Sequence, residues 1–294
     1  MEFDLENPLP ALQDLQFLPS LFHIESDHMP LYAYSHNLQQ TDFDITVRGE
    51  TISLISLFSH NFDPFLSYLA INYLDRFLST QHIPEGKPWF LRLLAVSCVS
   101  LALKMRKAEY SVTDIQEDGG FIFDKQTIQR MDFLILGALK WRMRSITPFS
   151  FINFFISMFK FKDLPSRQAL KSRATEIIFK AQNEITLLQF KPSIIAASAL
   201  ISASHELFPL QFPCFRKAIS DSAFVKKDKL FSCCNVIQGI VMDGYESVLD
   251  MASSSSTPVY ILDRQCSSSE SEKTATTIEL ERDEAAKDYL FWER

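Results

Sequence analysis

The sequence predicts an all-α protein, and three observations support this fold class. Apolar residues recur at the three- and four-residue spacing of helices that pack against a core. The hydrophobic fraction of 47% is large enough for such a core, and 294 residues fit two ordinary domains with tails or one large domain. Only seven glycines are present, which argues against an all-β fold and against a glycine-loop nucleotide-binding design.

The first half of the chain is predicted to form an arm followed by five helices. We expect residues 1–45 to be a largely irregular arm, because no helical period is sustained there. The helices that follow are expected at 46–58, 63–80, 88–106, 110–117 and 124–139. Asp63 is the predicted N-cap of the second helix, and Pro64 lies in its first turn. The apolar stripe of that helix consists of Leu66, Leu69, Ala70, Tyr73 and Phe77.

The second half is predicted to hold a further helical bundle. Thr147 and Pro148 restart the helical pattern as N-cap and first-turn proline, and later helices are expected at 165–183, 191–207 and 227–243. The run AVSCVSLALK (95–104) aligns with AASALISASH (196–205). Small residues among larger apolar ones suit a central helix that neighbours approach from several sides. Two ordinary alanine-rich helices would look the same, but one run in each half favours a duplicated unit.

The end of the chain, residues 247–294, is expected to be a disordered tail. It contains the runs SSSS (253–256) and SSSES (267–271) and an excess of acidic residues. Such a polar segment cannot bury enough apolar surface to become ordered. Its composition suits a turnover signal, and a solvated tail without a specific role explains it equally well.

Composition argues against several functional classes. The net charge of −7 argues against a nucleic-acid partner, because phosphate binding needs clustered Lys and Arg. The same charge argues against a transcription-factor-like protein that uses this fold to bind DNA. We expect no membrane span, since no apolar run reaches the required length. The start, MEFDLENPLP, lacks the residue order of a signal peptide. The five cysteines form no spaced framework, which indicates reduced thiols in the cytosol or the nucleus.

Catalytic chemistry is not indicated either. The sequence contains no HExxH, CxxC, GxGxxG or P-loop pattern, and its six histidines have no ligand spacing. Cys233 and Cys234 are adjacent on a predicted helix and point to different faces, so we expect buried small hydrophobes rather than a metal or redox pair. We therefore expect a protein that is not an enzyme and that needs no metal or cofactor.

Three strings identify a resemblance to a known family. They are LAINYLDRFLS (69–79), SCVSLALKM (97–105) and TIQRMDFLILGALKWRMRSITPFSF (127–151). The first is very similar to the cyclin-box string LAVNYLDRFLS of D-type cyclins, and the last to the plant version of that family. The short length and the arm string ESDHMP resemble most the sixth, motif-poor subgroup of plant D-type cyclins.

This resemblance implies two tandem cyclin folds, each a five-helix bundle. Their expected bounds are 46–145 for the N-terminal cyclin box and 146–246 for the C-terminal cyclin fold. The implied function is a regulatory subunit that binds and activates a cyclin-dependent kinase to control the G1/S transition and cell division. The implied location is the nucleus, with the cytoplasm left open as well. A cyclin-fold protein that binds a kinase without activating it is the alternative.

The resemblance also assigns residues to kinase binding. The family's Lys at the end of the third helix is Lys104, and the family's Glu of the fifth helix corresponds to Asp132. In the family this pair bonds to kinase backbone next to the αC helix. An ordinary Lys–Asp pair between packed helices is the structural alternative. Leu93 and Trp141 match further positions at the kinase face, and a plain core role competes for both.

Arg48 corresponds to the family's Arg that pairs with the Asp of YLDRFL, here Asp75. We interpret this pair as structural, holding the first helix of the box to the second. A partly buried ion pair that is broken on one side costs several kcal/mol, of order 3–5.

Three departures from the family affect the expected partners. The substrate-docking run EAVDWI is here ETISLI, with Ser53 and Leu54 in place of Asp and Trp, so docking of substrates there is doubtful. The run KVEE is here KMRK, which reverses the charge near the kinase. The nearest string to LxCxE is LFHIE (21–25), with His23 in place of Cys. We therefore expect no effective binding of retinoblastoma-type proteins through this string.

Overall fold

Eleven α-helices and two 3-10 turns form the part of the chain that the structure describes. This structure is a computed structural model, and it describes residues 4–6, 18–38, 42–84, 87–107, 115–116, 121–161 and 163–254. The helices up to residue 138 are α1 (Leu18–Ile24), α2 (Tyr32–Leu38), α3 (Asp42–Ser59), α4 (Pro64–Leu78), α5 (Pro88–Arg106) and α6 (Lys125–Ala138). The later helices are α7 (Phe149–Ser157), α8 (Leu164–Ala181), α9 (Pro192–Leu207), α10 (Phe212–Ser220) and α11 (Lys227–Ser254). The 3-10 turns are Glu25–His28 and Ile185–Gln189.

The described helices form two repeats, α3 to α6 and α7 to α11. Helix α5 is the centre of the first repeat. It packs against α3, α4 and α6, and nearly every residue from Leu91 to Leu103 is buried. Side-chain caps start two of its neighbours. Asp63 accepts a hydrogen bond from the Phe65 N–H at 3.0 Å, as the sequence predicts, and Asp124 accepts one from the Thr127 N–H at 2.6 Å.

Helix α9 has the same position in the second repeat. It packs against α7, α8 and α10, and its small residues are buried as those of α5 are. Ser97 of α5 and Ser198 of α9 occupy equivalent places in the two aligned runs, and both are fully buried. The predicted central role of both small-residue helices is therefore confirmed.

Most predicted helix bounds agree with the structure to within a few residues, and the differences have physical causes. The predicted cap at Thr147 is wrong, because α7 begins at Phe149 with Pro148 before it and without a side-chain cap. Helix α10 was not predicted, because Pro209 and Pro213 interrupt the pattern; Pro213 in fact lies in the first turn, where its missing N–H has no helical partner to lose. Helix α11 continues past the expected end of the second fold to Ser254. Most of the predicted helix 110–117 and most of the tail 247–294 lie outside the described residues.

The segment expected to be an irregular arm contains α1, a 3-10 turn and α2. Long-range contacts order it, and local periodicity does not reveal them. The Phe22 ring stacks on Phe224 at 4.3 Å and meets Phe151 at 4.8 Å. Glu25 is 1% exposed and accepts hydrogen bonds from the N–H and the hydroxyl of Ser193, at 2.9 and 3.0 Å, at the start of α9.

The expectation about apolar runs needs one correction. Helix α5 has 19 residues and is apolar enough, by length and composition alone, to cross a membrane. The fold explains why this helix is so apolar, because a central helix is covered by neighbouring helices on all sides.

An aromatic cluster joins the two repeats. Phe149 of α7 contacts Phe65 and Tyr68 of α4 at ring distances of 4.8 Å, and Phe179 of α8 at 5.1 Å. Because Phe149 is fully buried among these rings, the first and second repeats share one continuous apolar interface.

Candidate functional site

Lys104 and Asp132 lie side by side where α5 ends. The Lys104 Nζ donates a hydrogen bond to the Asp132 Oδ2 at 2.5 Å. Helix α5 stops two residues later because Lys107 takes a left-handed conformation with a φ of 52°, and its N–H bonds to the Lys104 carbonyl at 3.2 Å. The last turn of α5 therefore holds the Lys104 side chain against α6.

The two partners of this pair differ in exposure. The Lys104 side chain is 46% exposed, whereas that of Asp132 is 6% exposed. Burial raises the pKa of Asp132, and the hydrogen bond and the charge of Lys104 partly oppose that rise. The pair thus presents an ammonium group to solvent with a carboxylate beneath it.

Trp141 is displayed on the surface immediately after α6. Its side chain is 66% exposed. The helix ends in a Schellman turn, in which the Trp141 N–H bonds to the Leu136 carbonyl at 2.9 Å and the Lys140 N–H to the Gly137 carbonyl at 3.0 Å. Lys140 and Trp141 both have left-handed backbone conformations, with φ of 52° and 61°. Non-glycine residues rarely adopt this conformation, so the turn is held by its surroundings.

Arg76 provides that hold, and the sequence analysis did not single it out as a site residue. It is 5% exposed and donates to the Arg142 carbonyl at 2.9 Å and to the Ser145 hydroxyl at 3.1 Å. The Tyr73 hydroxyl donates to the Met143 carbonyl at 2.7 Å. Burial lowers the pKa of Arg76 to about 10. The sequence signal was present in LAINYLDRFLS, since Tyr73 of the apolar stripe carries a hydroxyl group and the charged Arg76 follows three residues later.

Phe133 and Leu134 follow Asp132 in the chain and add exposed apolar surface to the outward side of α6, and they too were missed. They are 63% and 62% exposed. The signal that could have found them is the stripe of α6, in which Ile128, Met131 and Ile135 face the core and leave the intervening positions outside.

Leu93 is placed differently from the other predicted kinase-face residues. It lies on α5 about three turns before Lys104, roughly 16 Å along the helix axis, and it is 6% exposed. This burial favours the core role for Leu93, while the exposure of Trp141 favours the surface role.

Arg48 and Asp75 lie together in the core, as a structural pair would. The Arg48 Nε is 2.7 Å from the Asp75 Oδ1, and both side chains are under 5% exposed. A further contact was not foreseen: the Arg48 Nη1 donates to the Asn183 carbonyl of the second repeat at 2.7 Å.

The departures from the family also have structural counterparts. The Ser53 hydroxyl donates to the Gly49 carbonyl of its own helix at 3.0 Å, and Leu54 is half-buried. Arg106 of the KMRK run is paired with Asp63 at 2.9 Å, which offsets part of the expected reversal of charge.

The LFHIE string is part of the fold. Its Leu21 and Glu25 side chains are 3% and 1% exposed, and the string forms most of α1 and the first residue of the following turn. Only His23 and Ile24 of the string are exposed.

The cysteines and acidic residues give no other site among the described residues. No group of three His, Cys, Asp or Glu side chains in the described ranges is placed to hold a metal ion. Cys98, Cys233 and Cys234 are buried, and burial raises the pKa of Cys233 to about 12 and that of Cys234 to about 11. Such thiols are protonated at neutral pH and are poor nucleophiles.

Comparison with known proteins agrees with this architecture. The family model described as "Cyclin, N-terminal domain" matches residues 17–144, and "Cyclin, C-terminal domain" matches residues 146–276. The first match begins inside the segment expected to be an arm, where α1 lies.

Two plant proteins are similar over nearly the whole chain. "Putative cyclin-D6-1" of Arabidopsis thaliana is 47% identical, with 94% of each chain covered. "Cyclin-D6-1" of Oryza sativa subsp. japonica is 37% identical, with 94% of this chain and 86% of that protein covered. Among solved structures, a viral cyclin from herpesvirus saimiri shares the fold, with a TM-score of 0.53 at 19% identity over 67% of this chain and 85% of that chain.

Proposed function

The chain belongs to the cyclin family, with D-type cyclins of plants as its relatives, and we propose that it binds and activates a cyclin-dependent serine/threonine kinase. It is then a regulatory subunit rather than an enzyme. Its activity would promote the G1/S transition and cell division from the nucleus, the compartment in which we propose it acts.

The pairing of Lys104 with Asp132 at the surface supports this role above any other observation. The ammonium is anchored at 2.5 Å yet 46% exposed, so it can donate to main-chain oxygens of a partner. Exposed apolar side chains on α6 (Phe133, Leu134) and the exposed ring of Trp141 after it supply area that water leaves on binding. An ordinary structural ion pair would leave the exposure of these apolar side chains without an explanation.

Activation follows if this surface fits one kinase conformation. Kinases transfer phosphate only when their β3 Lys is paired with the αC Glu. We call the kinase conformation with this pair formed the αC-in form. A cyclin that binds the αC-in form more tightly than the unpaired form shifts the equilibrium toward it. A shift from 1:99 to 99:1 in the ratio of the two forms needs about 5.5 kcal/mol of differential affinity. An interface of standard size can supply this difference.

Binding without activation is the second candidate. The short Asp132 side chain and the altered docking run ETISLI favour it, because both could weaken the contacts that select the αC-in form or recruit substrates. Kinase activity of the purified complex separates the two candidates, since an inactive but stable complex would establish the second.

A retinoblastoma-type partner is not part of the proposal. His23 stands where the LxCxE motif has Cys, and the burial of the Leu21 and Glu25 side chains is a second reason to expect that LFHIE does not act as this motif.

Affinity capture with the full chain, followed by a kinase assay, tests the proposal. The wild-type chain is expected to retain a cyclin-dependent kinase and to stimulate it. Lys104→Glu is expected to lose both, because it places a carboxylate over the Asp132 carboxylate and before the partner's carbonyls. Lys87→Glu, an exposed lysine at the other end of α5, is the matched control and is expected to behave as wild type. Full binding and stimulation by Lys104→Glu would refute the assigned face.

A further inference from the structure

In the Lys104–Asp132 pair the ammonium group lies at the protein surface and the carboxylate lies beneath it. Nearly half of the Lys104 side chain is accessible, and almost none of the Asp132 side chain is. A partner that lies on this face therefore meets the ammonium first. The carboxylate can be reached only if Lys104 or its neighbours move.

The bonding of the Asp132 carboxylate points the same way. Its Oδ2 accepts from Lys104 and lies 3.5 Å from the Ser100 hydroxyl. Its Oδ1 is buried and has no hydrogen-bond partner within the described part of the chain. A main-chain N–H of a docked protein would satisfy Oδ1 only if that oxygen were open to it, and it is covered.

Side-chain length explains this arrangement. An aspartate carboxylate is one methylene closer to its backbone than a glutamate carboxylate would be. From the α6 backbone it reaches the ammonium of Lys104 but not the surface beyond it. Asp132 therefore fixes the position of Lys104, and only Lys104 is accessible to a partner.

We propose that Asp132 is a positioning residue, which holds the Lys104 ammonium from beneath without touching the partner, so that this ion pair contacts the kinase main chain only through the hydrogen-bond donors of Lys104. The inference rests on the proposed function. It defines the partner's contribution at this point: carbonyl oxygens, such as those at a helix end or a turn, facing Lys104. A partner main-chain N–H at this point would have to find its acceptor elsewhere.

A double-mutant cycle with the full chain and a recombinant plant cyclin-dependent kinase that binds it tests the proposal. The variants are Lys104→Met, Asp132→Asn and the two combined. Asp132→Asn is expected to weaken kinase binding about tenfold in the wild-type background, because the ammonium loses its anchor. In the Lys104→Met background the same change is expected to alter affinity less than twofold. An equal loss in both backgrounds would overturn the proposal, because it would mean that Asp132 contacts the kinase directly.

The free chain offers a second readout that a general structural role of Asp132 would not change. In the wild type, proton exchange at the Lys104 ammonium, followed by NMR of ¹⁵N-labelled lysine side chains, is expected to be slower than at Lys87. Asp132→Asn is expected to remove the difference. Equally fast exchange at both lysines in the wild type would contradict the anchoring, and this measurement does not depend on whether any variant folds.

The two readouts separate this inference from the proposed function. Unchanged kinase affinity of Lys104→Met would refute the assigned kinase face, whatever the ammonium exchange shows. A loss of affinity in Lys104→Met, together with a further tenfold loss on adding Asp132→Asn, would keep the face and overturn only the positioning role. Lys87→Met is the control for removing an exposed lysine at the opposite end of α5.

Discussion

Arg48 and Asp75 are joined by two hydrogen bonds, from Nε to Oδ1 at 2.7 Å and from Nη2 to Oδ2 at 3.0 Å. The remaining nitrogen of Arg48 donates to the Asn183 carbonyl at 2.7 Å. The pair therefore joins α3 to α4 and also ties both helices to the segment that follows α8. A charge pair buried inside the first repeat in this way also holds the second repeat against it.

Breaking this pair from one side should strongly destabilise the fold. Asp75→Asn is expected to lower the free energy of unfolding by about 3–5 kcal/mol, because the Arg48 guanidinium stays buried without a counter-charge. Urea denaturation measures the loss. The double variant Arg48→Met with Asp75→Leu is the control and should lose less than Asp75→Asn, since no charge remains buried. A larger loss in the double variant would contradict this account.

The left-handed backbone of Lys140 predicts that glycine is more stable than alanine at this position. Lys140→Gly is expected to be about 0.5–1 kcal/mol more stable than Lys140→Ala, because glycine adopts the φ of 52° without a Cβ clash. Comparing glycine with alanine removes the lysine charge from both variants. Equal urea midpoints for the two variants would show that the backbone at this turn is not strained.

Arg76 should control the order of the turn that carries Trp141. Arg76→Met is expected to accelerate amide hydrogen exchange in residues 140–145 at least tenfold, which is about 1.4 kcal/mol of local opening. The reason is that the Arg142 carbonyl and the Ser145 hydroxyl lose their donor. Arg76→Lys keeps the charge with fewer donors and should give an intermediate rate. Unchanged exchange in Arg76→Met would mean that other contacts hold the turn.

His28 predicts a loss of stability in mild acid. Burial, together with the charges of Arg76 and Arg142, lowers the pKa of His28 from 6.5 to about 4. The unfolded chain therefore binds a proton at His28 as pH falls below about 6.5, whereas the folded chain does not until about pH 4. The stability that neutral His28 provides is complete above pH 6.5 and is lost as pH falls toward 4.

The variant His28→Gln should isolate this effect. Its midpoint of thermal unfolding is expected to fall less between pH 7 and pH 5 than that of the wild type, because glutamine does not titrate. Identical falls in the two proteins would show that His28 takes up its proton equally in both states.

Restoring the missing cysteine should not create a retinoblastoma-binding motif. His23→Cys completes the letters of LxCxE, but Leu21 remains buried and Glu25 remains buried and bonded to Ser193 of the second repeat. The full chain with this substitution is therefore expected not to bind a retinoblastoma-type pocket protein in a fluorescence-polarisation competition assay. A synthetic peptide of residues 19–27 with the same change is the control, because its side chains are free. Competition by the folded variant as strong as that by the peptide would contradict the burial.

Helices with strong local signals were predictable from the sequence. The Asp63 cap followed by Pro64 marks the start of α4, and the apolar run of α5 gives its bounds, 88–106, as observed. Capping and periodicity are properties of neighbouring residues, so they can be read without knowing the fold.

Features that depend on distant partners were not predictable. Helix α1 is ordered by the insertion of Phe22 between rings of the second repeat, more than 120 residues away. In the sequence Arg76 is only one of two adjacent charged residues in a helix. Its role in holding the turn after α6 becomes visible only when the fold brings that turn into contact with it. At the candidate site the family resemblance supplied Lys104, Asp132 and Trp141, but not which of them are exposed, because that depends on side-chain length and packing in this chain.

The placement of Phe22 and Glu25 has a consequence for the fate of the N-terminus. A protease that removed the first 28 residues would strip an aromatic ring from the second repeat and leave the Ser193 N–H without its carboxylate. The freshly bared apolar patch would be prone to self-association and to capture by chaperones. Clipping near this end would therefore shorten the lifetime of the remainder of the polypeptide.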